Sequence, residues 1–330
     1  MGNGWIKHLR VDPIRALQVN SDQALNYFVR RDLLEEQLEP IESIWELDVP
    51  KKLFQKQAVS GCWHYPSKSK SNDPIFNYDL LETYRSLRIV VDMYSADRKH
   101  PSIQKAAEYV FSCQTKDGDI RGILGNQYMP YYHAVLLEEL IKAGYADDYR
   151  VIKGMEWLLS VRQKDGGWII PFQGVPSKER NGLWQKTPIP PDRSLPFSHL
   201  ATGMILRAFA VHPEYCQRSE IHRAGELLKS RFFKPDKYYD RKGSEYWLKF
   251  QYPFFWTSLL TALDTLHLLG FTQVDSDVDK GLTWLVENQQ PDGLWPTEYN
   301  KNKGTNATHS IPWVTLAVCR VLREYYSLSE

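Results

Sequence analysis

Three residues whose side chains suit proton transfer stand at the starts of successive apolar segments. Asp79, His133 and His199 occupy the same place when these segments are aligned. A carboxylate can orient a histidine whose pKa is tuned by burial, so we predict that the three are catalytic acid–base groups. The alternative is structural, because polar side chains at helix starts often hydrogen-bond the neighbouring backbone.

The same three residues allow a second chemistry, the binding of a metal ion. Two histidines and one carboxylate match a known set of three transition-metal ligands. His309 and the pair Cys62/His64 would add ligands if their loops reach the site. We predict no cofactor and keep a metal at Asp79, His133 and His199 as the alternative.

Aromatic side chains surround these helix starts. Ligand pockets are commonly apolar and aromatic with a few convergent polar groups. We therefore predict a substrate-binding set in which the rings could also stabilise a carbocation. The alternative is core packing between helices. The predicted substrate-binding residues are Tyr78, Tyr131, Tyr132, Phe197, Phe254, Phe255, Trp256, His309 and Trp313.

Two kinds of helical segment alternate along the chain and must position these residues. One kind is apolar on nearly every face, which is typical of a buried helix. The other is amphipathic, with one wet face. The apolar segments are 21–36, 76–94, 131–145, 197–211, 254–271 and 311–326, and the amphipathic ones are 41–57, 103–114, 151–163, 221–233 and 278–290.

This alternation predicts an all-α protein of about six helical hairpins. An open superhelix would leave one face of the apolar helices in water, whereas a closed ring buries them all. We therefore predict a single α/α toroid domain over residues 1–330.

A short pattern recurs at the ends of the amphipathic segments. It reads QKDGGW at 163–168 and QQPDGLW at 289–295, with weaker copies QTKDGD at 114–119 and QAVSGCW at 57–63. Asp-Gly supplies a tight turn, the Gln side chain can bond the turn backbone, and Trp can pack beneath it. We interpret these segments as structural. In the copy at 114–119 the alignment places Asp119 where Trp would stand.

The recurring Gln, Asp-Gly and Trp resemble the repeat of squalene and oxidosqualene cyclases and of protein prenyltransferase β subunits. The resemblance covers residues ~40–326 as architecture. It implies the α/α toroid and, by analogy, an elongated isoprenoid-like ligand. The segments 129–135, 195–201 and 253–259 lack the DxDD acid motif of class II terpene cyclases. The resemblance favours enzyme activity, but the missing acid motif leaves that interpretation open.

Composition excludes several other classes. The net charge is +1 and no basic run is interleaved with aromatics, which argues against nucleic acid as a partner. No apolar run reaches 18 residues, so no membrane span is expected. The 4 cysteines form no CxxC pair and the N-terminus carries no apolar stretch, which predicts a cytoplasmic protein without disulfides.

Three functions remain open at this point. The first is a terpenoid-cyclase-like or prenyltransferase-like protein that binds an apolar, isoprenoid-like ligand in an aromatic cavity, with acid–base chemistry at its mouth. The second is a non-catalytic protein that binds a lipid or peptide in that cavity, and a further protein partner stays open. The third is a carbohydrate-active α/α toroid enzyme, for which Tyr, His and Asp in an aromatic cleft would also be suitable.

Overall fold

The computed structural model describes residues 3–172, 179–180, 182–238, 242–297 and 304–327, and side chains in the last range from residue 311. Within these ranges the protein is helical, and its only β-type pairing is two isolated bridges, without a strand. The predicted all-α class is thereby confirmed. The α-helices are α1 (Ile14–Gln18), α2 (Gln23–Phe28), α3 (Asp48–Gln55), α4 (Lys68–Ser71), α5 (Tyr78–Asp92), α6 (Pro101–Ser112), α7 (Pro130–Leu140), α8 (Tyr149–Ser160), α9 (His199–Ala210), α10 (Ser219–Lys229), α11 (Leu259–Leu268), α12 (Ser276–Glu287) and α13 (Gly304–Ser327).

Shorter helical turns join or extend these helices. Two of them have π geometry, Val29–Leu33 after α2 and Ile141–Tyr145 after α7. The others have 3₁₀ geometry and are Asn3–His8, Ile41–Glu46, Leu183–Gln185, Tyr215–Gln217 and Ser244–Leu248.

The predicted alternation of helix types is present. The apolar segments correspond to α2, α5, α7, α9, α11 and α13, and the amphipathic segments to α3, α6, α8, α10 and α12. Every residue of α9 and all but one of α7 are buried. By contrast, α6 and α8 each keep an exposed face. These pairs are α/α hairpins, the unit from which α/α toroids are built.

Local signals fix where the helices begin and end. Asn77 and Ser198 accept hydrogen bonds from the first turns of α5 and α9. Asp275 does the same for α12. Gly144 and Gly270 end their helices with φ of 95° and 85°, a conformation that favours glycine.

The chain divides into two compact units. Unit A comprises Asp48–Leu227 with Asp236–Lys242, and unit B comprises Met1–Leu47, Leu228–Pro235 and Gly243–Glu330. In unit A, α7 packs against α5, α8 and α9, and in unit B, α11 packs against α12 and α13. A single domain over residues 1–330 stays a prediction. Among the described helices, none is long and apolar enough to cross a membrane.

Candidate functional site

The recurring turns lie at residues 57–63, 114–120, 163–168 and 289–295, and we call them Gln–Trp turns. They share one hydrogen-bonding scheme. In three of them the Trp backbone N–H donates to a Thr hydroxyl on the next buried helix, and the indole Nε1–H donates to the carbonyl ten residues earlier. The backbone distances are 3.0 Å for Trp63–Thr83, 2.9 Å for Trp168–Thr202 and 3.0 Å for Trp295–Thr315. The indole distances are 2.7 Å to Leu53, 2.8 Å to Leu158 and 2.8 Å to Leu285.

In three of the four turns the Gln side chain bonds a backbone carbonyl of its own turn, whereas Gln163 Nε2 donates to the carbonyls of Asp192 and Leu195 at 2.6 and 2.9 Å. Gln289 Nε2 donates to the carbonyls of Gly293 and Val11, at 3.0 and 2.7 Å. Gln57 and Gln114 bond their own turns in the same way. The turn glycines adopt φ of 86° to 110°, which only glycine adopts freely. These contacts agree with the structural interpretation of the pattern.

The fourth Gln–Trp turn, residues 114–120, corrects the sequence alignment. Ile120, not Asp119, stands at the Trp position, because the Ile120 N–H donates to His133 Nδ1 at 2.9 Å. His133 therefore takes the place that Thr has in the other three turns. Its second ring nitrogen, Nε2, donates to the Gly154 carbonyl at 3.0 Å.

The environment of His133 is that of a structural residue. The side chain is fully buried, and both ring nitrogens bond backbone groups. Burial lowers the pKa of His133 to about 4, although the bond to Gly154 opposes the shift. The ring is therefore neutral at neutral pH and joins the turn to α8.

The equivalence of His133 with the three threonines changes the register. Asp79 lies four residues before Thr83, and His199 three before Thr202. The alignment of Asp79, His133 and His199 at one shared position is therefore wrong. Asp79 and His199 lie at the starts of α5 and α9, whereas His133 lies one turn into α7, at the position that bonds the Gln–Trp turn.

His199 lies beside a carboxylate that closes the start of α9. Its Nδ1 is 3.4 Å from Asp236 Oδ2, and both side chains are buried. The same oxygen accepts from Ser198 Oγ at 2.9 Å and from the Leu200 N–H at 3.0 Å. Asp236 thus satisfies backbone and side-chain donors at this helix terminus.

Asp79 belongs to a different group, with Cys62 and His64. His64 Nδ1 is 2.7 Å from Asp79 Oδ2, and the Cys62 sulfur is 3.8 Å from that nitrogen and 4.0 Å from that oxygen. Among the residues that the structure describes, these three are the one group of three His, Cys, Asp or Glu donors within 4.8 Å of one another. His133 and His199 are not part of it.

The second oxygen of Asp79 is held by the neighbouring loop. Asp79 Oδ1 accepts from the Tyr65 N–H at 2.8 Å and from Ser71 Oγ at 2.6 Å. Partial burial would raise the pKa of Asp79, but the hydrogen bonds from Ser71, Tyr65 and His64 hold it below its usual value. Burial raises the pKa of the Cys62 thiol.

The predicted aromatic residues of unit A occupy several environments. Tyr131 and Tyr132 lie side by side on α7, with ring centroids 4.6 Å apart. Tyr78 contacts Tyr65, at 5.1 Å between centroids. Phe197 is buried beneath the turn at Gly167, where an added Cβ would meet its side chain at 2.5 Å. Phe197 is thus part of the packing around a Gln–Trp turn.

The predicted residues of unit B also pack in pairs. The Trp313 ring stacks on Tyr252 at 5.6 Å, and its indole N–H donates to Asp22 at 2.8 Å. Phe254 meets the edge of Tyr252, and Phe255 lies against Trp256 at 4.6 Å. Phe255 and Trp256 are half-buried. His309 lies outside the residues whose side chains the structure describes.

A buried network of charged residues lies where α5, α7 and α9 pack together. Glu138 Oε2 accepts two bonds from the Arg207 guanidinium, at 2.9 and 2.7 Å, and Oε1 accepts from Lys142 at 2.6 Å. Lys142 also donates to Asp92 at 2.9 Å. Burial alone would raise the pKa of Glu138, but Arg207 and Lys142 hold it below its usual value.

Glu139 is the exception in this network. Its side chain has no exposed surface, and neither carboxylate oxygen hydrogen-bonds another described residue. Burial, together with the nearby Asp92 and Glu138 carboxylates, raises the pKa of Glu139 well above its usual value. The shift favours the neutral, protonated form of this carboxyl group over its carboxylate, compared with an exposed glutamate.

Sequence reasoning missed this network although a signal was present. Segment 131–145 carries Glu-Glu in the middle of an otherwise apolar helix, and segment 197–211 carries a single Arg. Charged residues are almost never fully buried unless they are paired. Two such segments in one fold therefore predict a buried ion pair.

Comparison with known proteins finds a family model that matches part of the chain. Residues 79–189 match the family model of the squalene-hopene cyclase C-terminal domain. The resemblance to the terpenoid cyclase superfamily is confirmed. The matched stretch contains α5, α7, Asp79 and both glutamates of the network. None of the curated proteins matches the chain.

Several solved structures also resemble the chain. A protein from Actinoplanes shares 14% identity over 98% of this chain and 90% of its own, with a TM-score of 0.46. A variant of the type II terpene cyclase MstE from Scytonema, in complex with its substrate geranylgeranyl dihydroxybenzoate, shares 14% identity over 99% and 87%, with a TM-score of 0.46. A second MstE variant, without ligand, shares 14% identity over 98% of this chain and 85% of its own, with a TM-score of 0.45.

Proposed function

We propose that the protein binds an elongated, isoprenoid-like ligand and acts on it by acid catalysis, with Glu139 as proton donor. The observation that carries the proposal is the state of Glu139: fully buried, without a hydrogen-bond partner among the described residues, and with its pKa raised well above the usual value. The family match over residues 79–189 supports the class of ligand.

The surroundings of Glu139 suit proton transfer to an apolar substrate. A carboxylic acid kept neutral by burial can donate its proton where no water competes for it. Protonation of a carbon–carbon double bond leaves a carbocation, which faces of aromatic rings stabilise by ~0.5–2 kcal/mol each. Lys142 and Arg88 are close enough to favour the carboxylate that remains after transfer.

The proposal does not depend on the three residues predicted from the sequence as acid–base groups. Both ring nitrogens of His133 bond backbone groups, so we do not use it as an acid or base. Asp79 and His199 stay predictions as acid–base groups. The missing DxDD motif is compatible with catalysis because Glu139 supplies a carboxylic acid from another position.

The test compares Glu139→Gln with Glu287→Gln, an exposed glutamate on α12. Purified protein is incubated with linear C20 and C30 isoprenoids in D₂O, and products are separated by gas chromatography with mass spectrometry. Protonation by an exchangeable acid should place one solvent deuterium in a cyclised product. Glu139→Gln should lower turnover by at least ~10²-fold, the lower range for loss of a general acid, and Glu287→Gln should not.

Two results would contradict the proposal in different ways. A Glu139→Gln variant as active as wild type would remove Glu139 from the chemistry. Isoprenoid that co-purifies with wild type, seen by native mass spectrometry, but is never converted would instead support the non-catalytic binding function.

A further inference from the structure

We propose that Cys62, His64 and Asp79 form a binding site for one Zn²⁺ ion. The sulfur, Nδ1 and Oδ2 of these residues face one another within 4.8 Å. Together they offer one thiolate, one imidazole and one carboxylate, which are the three ligand types that zinc takes in proteins. The inference rests on this geometry and is independent of the function proposed for Glu139.

The separations of the donor atoms are close to those of a tetrahedral zinc site. Zinc–sulfur bonds of about 2.3 Å and zinc–nitrogen or zinc–oxygen bonds of about 2.0 Å place sulfur about 3.5 Å from the other donors, which lie about 3.3 Å apart. The observed separations are 3.8 Å, 4.0 Å and 2.7 Å. A rotation of His64, whose side chain is 64% exposed, would adjust the two separations that involve its Nδ1, and a shift of about 0.5 Å between Cys62 and Asp79 would bring sulfur and oxygen to the tetrahedral separation.

The supporting contacts hold two of the ligands in place. Asp79 Oδ1 is occupied by Tyr65 N–H and Ser71 Oγ, which leaves Oδ2 turned toward Cys62 and His64. Such outer contacts orient ligating carboxylates in metal sites. Cys62 and His64 flank Trp63, and the Trp63 N–H bonds Thr83 on α5, the helix that carries Asp79. The Gln–Trp turn thus holds Cys62 and His64 against the helix that carries Asp79.

The donor set also selects among metals. A thiolate and an imidazole favour Zn²⁺ or Co²⁺ over Mg²⁺ and Ca²⁺, which prefer all-oxygen sites. Three protein ligands leave the fourth position of a tetrahedral site for a ligand that is not part of the protein. A water molecule there would complete the coordination, as in zinc sites that keep an open position.

The experiment is metal binding by the full-length chain after removal of any purification tag. Protein is incubated with Zn²⁺, freed of excess metal and analysed by elemental mass spectrometry. Wild type should retain one equivalent. His64→Ala, which changes an exposed side chain and leaves the core intact, should weaken affinity by more than ~10-fold, the smallest loss seen for a disrupted outer contact.

Substitution by Co²⁺ identifies the sulfur ligand. Wild type should show a near-ultraviolet sulfur-to-cobalt charge-transfer band that Cys62→Ser removes. Cys113→Ser is the matched control, because Cys113 is a free cysteine of unit A outside the group, and it should keep the band. If wild type retains no more zinc than His64→Ala, or if the cobalt band survives Cys62→Ser, the site does not exist and the His64–Asp79 contact is an ordinary hydrogen bond.

Discussion

Two of the Gln–Trp turns make the same hydrogen bonds but differ in the residues that flank their Trp. In the turn at 57–63 and in the turn at 289–295, Trp bonds a Thr on the next buried helix and a carbonyl ten residues back. The residues flanking Trp63 are Cys62 and His64, whereas those flanking Trp295 are Leu294 and Pro296.

The difference shows that the turn is a scaffold and its flanking residues determine the local chemistry. Beside Trp63 the flanking side chains reach a carboxylate at the start of α5. Beside Trp295, Pro296 lines a pocket with Phe250 and Trp284. The same backbone arrangement thus presents metal-type donors in unit A and part of a pocket with both aromatic and polar walls in unit B.

Removal of the Trp ring should have the largest effect if the turns are structural. Trp168→Ala and Trp295→Ala delete fully buried rings and should each lower the free energy of unfolding by ~3–5 kcal/mol. Urea denaturation followed by circular dichroism measures the change. Trp284→Ala removes a half-buried ring outside any such turn and should cost less. A loss below ~1 kcal/mol at both turns would contradict the shared structural role.

The turn at 114–120, which His133 bonds from α7, should respond to pH where the other three turns do not. The folded pKa of about 4, set mainly by burial, lies below the usual value of 6.5. Stability from the neutral ring is present above pH 6.5 and is lost as pH falls toward 4, because only the unfolded chain takes up the proton. Over this window wild type should lose ~3 kcal/mol that His133→Thr retains.

His133→Thr is the matched variant, because Thr is the residue that bonds the other three turns from the next buried helix. Urea denaturation of both proteins at pH 7, 5.5 and 4.5 gives the difference. Parallel loss of stability in the two proteins would show that His133 is not held neutral by burial.

Glu139 should produce a pH dependence of the opposite sign. Its folded pKa is raised above the usual value of 4.5, so the stability that it contributes is complete below that value and is lost as pH rises. Relative to Glu139→Gln, wild type should lose up to ~1.4 kcal/mol per pH unit above pH 4.5. Denaturation at pH 5, 6 and 7 tests this, with Glu287→Gln as control. A constant difference across these pH values would argue that Glu139 is ionised.

The bond from the Trp backbone to Thr should give the smallest effect. Thr202→Val keeps the shape of the side chain and removes the acceptor of the Trp168 N–H. The loss should be about 1 kcal/mol, because one buried donor is left without its partner. Thermal denaturation of Thr202→Val and Thr315→Val should give similar values. A difference of several kcal/mol would show that the two turns are not equivalent.

The arrangement of helices could be predicted from the sequence because it follows from local patterns. Burial on all faces distinguishes α7 and α9, and one wet face distinguishes α6 and α8. The turn glycines and the Gln and Trp contacts follow from the same short motif. Each of these features depends on residues close together in the chain.

The candidate sites could not be predicted in the same way, because they depend on register between distant segments. Cys62 and His64 meet Asp79 only because Trp63 bonds Thr83, and the sequence does not show that bond. The equivalence of His133 with Thr83 appears only in the hydrogen bonds, so the sequence alone does not distinguish a structural from a catalytic His133. Glu139 lies in a segment whose other residues are mostly apolar, so the periodicity of the segment predicts burial but does not show which charged partners surround it.

The ion pair between Glu138 and Arg207 has a consequence for how the protein can change. Loss of Glu138 removes the carboxylate that pairs with the buried Arg207, and loss of Arg207 leaves Glu138 with Lys142 as its charged partner. Breaking a buried pair typically costs ~3–5 kcal/mol, while replacement of both partners by apolar residues is often neutral. A protein with only one of the two substitutions is thus less stable than the protein with both charged residues or with both replaced. In evolutionary terms the two positions should be inherited as a unit, so that descendants of this chain keep both charges or have lost both.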